Sequence, residues 1–171
     1  VSDSVNAANT LMDNFGLTGD EAFDLIAAGY KSGLDSSGDF LDTIGEYSVQ
    51  FAEGGASAGD FFSILSTGLQ GGVLGTDKAA DLFKEFRVRI QDGSTSTAAA
   101  LNSIGLSSDE MAAKFADGSL TAVQAFEMVQ TALWETKDTN LQFQAGVALL
   151  GTQFEDLGAD AALAINPFDG G

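Results

Sequence analysis

Carboxylates are the side chains of this sequence with the most chemistry to offer, and their spacing invites two readings. Asp35 to Glu46 has the length of a calcium-binding loop, with Asp35, Asp39 and Glu46 at its first, fifth and last positions. Such a loop needs glycine at its sixth position, where the chain turns sharply, and a small apolar residue at its eighth. Phe40 and Asp42 stand there instead, and both continue a helical pattern. The segment therefore reads as a helix N-terminus with acidic caps. The adjacent acids Asp20-Glu21 and Asp109-Glu110 have the chemistry for acid–base work. Each pair falls in the first turn of an expected helix, where negative charge stabilises unpaired backbone N–H groups, so capping is the reading they support.

Other reactive constellations are missing from the composition itself. There is no Cys and no His, which excludes disulfides, zinc fingers, a thiol nucleophile and a Ser-His-Asp triad together. The glycine-rich stretch Gly68 to Gly75 lacks the Lys-Ser/Thr ending of a phosphate loop and follows no strand, so it is expected to be a turn between helices. Seven Lys/Arg face 25 Asp/Glu, a net charge of -18. Lys84, Arg87 and Arg89 come nearest to a cation cluster, too small for a phosphate backbone, and direct nucleic-acid binding is not expected. Pairing with Glu85 and Asp81 is the expected use of these cations. Trp134 has the character of a partner-binding anchor, but beside Leu133 on an apolar helix it is expected in the core. No catalytic, cofactor-binding or metal-ligating residues are assigned, and no cofactor.

The elements behind these residues are helical. Phe40, Leu41, Ile44, Tyr47 and Phe51 form one continuous helix face, as do Ala79, Leu82, Phe83, Phe86 and Ile90, and again Val123, Phe126, Val129 and Leu133. No stretch alternates with period two. The single proline is Pro167, so none interrupts the pattern before the end. Thr18 with Glu21 and Ser107 with Glu110 have capping-box spacing, with Ser57 and Asp60 a weaker version. Thr76-Asp77 and Ser37 are further N-cap candidates. Gly16, Gly33, Gly54-Gly55, Gly72, Gly93 and Gly118 are expected stops. No apolar run approaches the length of a membrane span, and Val1 to Met12 lacks the basic start of a signal peptide. The fold class expected is all-α, with about nine or ten short helices packed as stacked antiparallel hairpins, a helical-repeat-like bundle.

A shift of 39 residues lays 17–54 on 56–93, pairing Phe23 with Phe62, Gly29 with Gly68, Gly33 with Gly72, Asp42 with Asp81, Glu46 with Glu85, Val49 with Val88 and Gly54 with Gly93. Leu106 to Glu110 echoes Leu17 to Glu21. Gly29 and Gly68 are expected where helices approach closely, at about 1 kcal/mol in helix propensity. The division expected is an N-terminal helix over 1–16, hairpin units at 17–54 and 56–93, a third unit at 95–136, C-terminal helices over 138–166 and an irregular tail at 167–171. One compact domain would hold them all. A second C-terminal helix is expected to start from Thr152 and carry Phe154, Leu157, Ala161 and Ile165. The start at Val1 and the ending Asp169-Gly170-Gly171 suggest a piece of a longer polypeptide.

The ordered set of motifs resembles the conserved helical region of phage tail tape-measure proteins, the phage minor tail proteins. It runs from Asn14-Phe15-Gly16-Leu17-Thr18-Gly19-Asp20-Glu21-Ala22 and Ala27-Ala28-Gly29, through Ser37-Gly38-Asp39-Phe40-Leu41-Asp42-Thr43 and Glu46-Tyr47, to Lys84-Glu85-Phe86. Asp92 to Thr97, Leu106 to Met111 and Ala145 to Leu157 complete it. The family's last motif carries a Phe-Gly-Thr followed by Trp; Leu150 and Phe154 depart from it but stay apolar. The resemblance implies a structural tail segment acting in assembly and length determination, with a part in genome ejection. It implies tail tube and tail-tip proteins and tail assembly chaperones as partners, and leaves a homo-oligomer open. The implied location is the virion, in the tail tube lumen or tail tip, after assembly in the host cytoplasm. The alternative is an acidic helical-repeat interaction module of another assembly protein.

Overall fold

The computed structural model describes residues 2–168. Among the described residues eleven helices follow one another: α1 (Ser2–Phe15), α2 (Gly19–Lys31), α3 (Phe40–Glu53), α4 (Ala58–Gln70), α5 (Thr76–Asp92), α6 (Thr95–Ser103), α7 (Ser108–Asp117), α8 (Ala122–Glu135), α9 (Thr139–Leu150), α10 (Thr152–Leu157) and α11 (Ala159–Ala164). No strand occurs among the described residues. The fold is all-α, as the apolar spacing requires. Residues 169–171 of the expected tail lie outside the described residues.

Local signals set most helix ends. Thr18 and Ser57 form complete capping boxes with Glu21 and Asp60, each satisfying two N–H groups that a helix start leaves open. At Ser107 only half the box forms, with the hydroxyl accepting from the Glu110 N–H at 3.2 Å. Thr121 and Gln124 complete a further box on α8. The C-terminal segment departs from expectation. Gly158, at φ 83° and ψ 158°, splits it into α10 and α11, because that backbone region is open to little besides glycine. Gly151, not Thr152, occupies the cap position of α10 and offers no side chain for the task.

The helices wrap a core of phenylalanines. Phe51, Phe61, Phe83, Phe86 and Phe126 are fully buried and touch in sequence. Phe61 meets Phe51 at 4.3 Å between centroids, Phe51 stacks on Phe83 at 4.5 Å, and Phe126 lies edge-on to Phe83 at 5.4 Å and to Phe86 at 5.3 Å. The chain of rings ties α3, α4, α5 and α8 together, each pair adding about 0.5–1.5 kcal/mol beyond the area it buries. Helix α5 is central, packed on α3, α4, α8, α9 and α10, while α1 covers α2 and α3.

The 39-residue correspondence has a physical counterpart. Helices α2 and α4 start and end 39 positions apart, and α3 and α5 end likewise. A methyl group at Gly29 would fall within 2.7 Å of Phe40 Cε2, and one at Gly68 within 2.8 Å of Ala79 Cβ; Phe40 and Ala79 are themselves 39 apart. Both glycines therefore face the corresponding residue of the next helix. With alanine opposite, α4 packs along α5; with phenylalanine opposite, α2 lies mainly against α1. Gly118, the glycine of the third echo, does a different job, ending α7 at φ 79°.

Candidate functional site

The residues singled out for chemistry are placed at helix ends. Phe40 begins α3, so the Asp35–Glu46 segment is helical over its second half. Asp35 Oδ1 accepts the Phe40 N–H at 3.2 Å. Glu21 accepts the Thr18 N–H at 2.9 Å; that backbone bond and the Thr18 side chain hold its carboxyl below the usual range. Gly71 to Gly75 is the turn joining α4 to α5.

Asp39 is the largest departure in this region. It stands at the N-cap of α3 yet makes no cap bond there. It reaches across to α5, where Oδ2 accepts the Asp77 N–H at 3.2 Å and Oδ1 accepts the Thr76 hydroxyl at 2.9 Å. Ser37, an N-cap candidate, donates to the same Oδ1 at 2.6 Å. Gly75 caps α5 without a side chain, so Asp39 supplies in trans the acceptor that Thr76-Asp77 was expected to provide. With the Thr76 proton given to Asp39, the buried Thr43 hydroxyl donates to Thr76 Oγ1 at 2.9 Å. Burial pushes the Asp39 carboxyl up, but hydrogen bonds from Ser37, Asp77 and Thr76 outweigh it and bring it to about 2. Asp77 is pushed up, first by burial and then by Asp39 beside it.

A second polar joint holds the C-terminal segment. Gln130 on α8 is buried and donates both amide hydrogens, to Ala162 O and Ile165 O at 2.8 Å each. From α4, Ser63 donates to Asn166 O at 2.7 Å, and Thr67 Oγ1 accepts the Asn166 N–H at 2.8 Å. Residues 162–166 are thus strapped across α4 and α8 through their backbone. The apolar spacing carried no sign of it, although a glutamine among α8's core residues was the available clue.

The cations pair differently from expectation. Arg89 meets Glu85 at 2.6 Å, as expected, but Arg87 reaches Glu53 on α3 at 3.6 Å and also Gln50 and Gln91. Lys84 forms no ion pair among the described residues, and Asp81 accepts instead from Gln153 at 2.9 Å. Trp134 corrects a second expectation: it is 64% exposed. Helix α8 buries Phe126, Val129 and Leu133, with Gln130 beside them. One residue beyond Leu133 is a turn of about 100°, which carries the indole out of that stripe.

The described residues thus define a class, a helical structural module whose acids cap helices and whose polar side chains join them. No helix among them is long and apolar enough to cross a membrane. The chain matches the phage-related minor tail proteins over residues 1–151 and belongs to that family of structural tail proteins. It is 38% identical over 148 residues, 86% of its length, to the probable tape measure protein of Streptomyces phage phiC31, and it spans about a fifth (20%) of that curated relative. No solved structure matches the chain.

Proposed function

We propose that this chain is a compact module of a tape-measure protein, acting in tail assembly against tail tube and tail-tip proteins and their assembly chaperones, and contributing to length determination and genome ejection. The likeness to the probable tape measure protein of phage phiC31 over 86% of the chain carries the reading. In it the module works by packing and docking and performs no reaction, in keeping with acids that are engaged at helix ends. The units at 17–54 and 56–93 share their helix spacing, and α2 and α4 each start from a complete capping box.

The packing bears on what the module contributes to length. Drawn out as one helix, the 171 residues would span about 250 Å at 1.5 Å each. Folded to ordinary compactness they span about 40 Å. The module is therefore an end piece or an insertion and not the ruler itself. In-frame removal of the whole module from the intact phage, with tail length read by electron microscopy, tests this. The expected change is at most about 40 Å; a loss near 250 Å would show that the segment is drawn out in the tail.

A further inference from the structure

Trp134 forms one wall of a groove of about 340 Å³, shared with Gln130 and Thr131 of α8 and with Asp160, Leu163 and Asn166. The last three lie beyond the residues that match the family. Two features of the groove ask for an occupant. The indole is bare over most of its surface. Gln130 is held in place below it by giving both amide hydrogens to Ala162 and Ile165. Asp160 adds a carboxylate at the rim, on a chain of net charge -18.

A flat π face beside a negative charge is the complement of a guanidinium. It is planar, carries its N–H donors in a fork, remains charged and stacks on indole. A lysine ammonium supplies charge and donors without the plane, and an apolar side chain would leave Asp160 unanswered. We propose that this groove docks an arginine of a partner protein, with the guanidinium over Trp134 and an ion pair to Asp160. The proposal deepens the assembly role above by giving the partner's contact chemistry.

Trp134 is the only tryptophan, so its fluorescence reports on this groove directly. The full chain is titrated at low salt with the blocked tripeptide acetyl-Ala-Arg-Ala-amide, and with its lysine and citrulline counterparts. The arginine peptide is expected to change the emission saturably, in roughly the millimolar range for one side chain. The lysine peptide should bind more weakly and the citrulline peptide without saturation. Asp160→Asn should weaken arginine binding roughly threefold, while Asp109→Asn, the same charge change elsewhere, should leave it unaltered. Equal responses to all three peptides would overturn the proposal. So would equal losses from the two substitutions, since binding would then be general attraction to an acidic surface. Failure here leaves the tail reading standing, because that reading rests on the sequence match and is tested by tail length.

Discussion

Replacing glycine by alanine inside a helix should change sign with position in this molecule. Gly45 lies within α3 with nothing within 4 Å of the site a methyl would take. Alanine there should stabilise the fold by about 1 kcal/mol through helix propensity and a less free unfolded chain. That corresponds to a melting temperature about 2–4 °C higher for a chain of this size. Gly29 has the same helical backbone but faces Phe40, whose ring would lie within 2.7 Å of the new methyl. Phe40 is fully buried and held edge-on by Tyr30 at 5.4 Å and Phe62 at 5.7 Å, so it has little room to yield. Overpacking costs about 1–3 kcal/mol, which offsets the propensity gain and leaves Gly29→Ala destabilising by up to about 2 kcal/mol. Thermal or urea unfolding of both variants measures the difference. Pairing Gly29→Ala with Phe40→Leu should recover about 1 kcal/mol relative to the sum of the single changes, because the two residues share one contact. If Gly29→Ala stabilises as much as Gly45→Ala, the close approach of α2 to Phe40 is wrong.

Asp39→Ala should cost about 1–2 kcal/mol at neutral pH, since it removes a cap from α5 and an acceptor from Thr76. Because the folded Asp39 carboxyl sits near 2 against an ordinary 3.8, its contribution is present above that ordinary value and is lost as pH falls toward 2. Asp77 runs the other way, favouring the fold when protonated and losing that benefit as pH rises through its elevated value. Asp39→Asn should accordingly flatten the wild-type loss of stability between these limits, read by urea midpoints at successive pH values; an unchanged acid limb would count against the cross-helix cap. Gln130→Ala should free residues 159–168 before the rest of the fold, because two backbone carbonyls lose their donor. Hydrogen exchange should show faster exchange confined to that segment, at a cost to overall stability of about 1–3 kcal/mol. Uniform loss of protection across α3 to α5 would refute the strap.

What the sequence by itself determined is everything governed by neighbours within a turn or two. Thr18, Ser57 and Ser107 cap the helices that follow them, and Gly93 and Gly118 end theirs in the left-handed region. The faces around Phe51, Phe83 and Phe126 are buried as their spacing demands. These follow from orphan N–H groups, backbone sterics and the helical period, all of them local. What only the tertiary structure decided is which partner completes each group. Asp39 passes over its own helix to cap α5, Arg87 chooses Glu53 over Asp81, and Gln130 finds the backbone of residues 162–165. Trp134 faces outward because burial depends on which arc of α8 the neighbouring helices cover, and being one residue from Leu133 moves it off that arc. Hydrogen bonds and burial between distant segments exist only once packing has brought them within a few ångströms, a distance that sequence spacing does not encode.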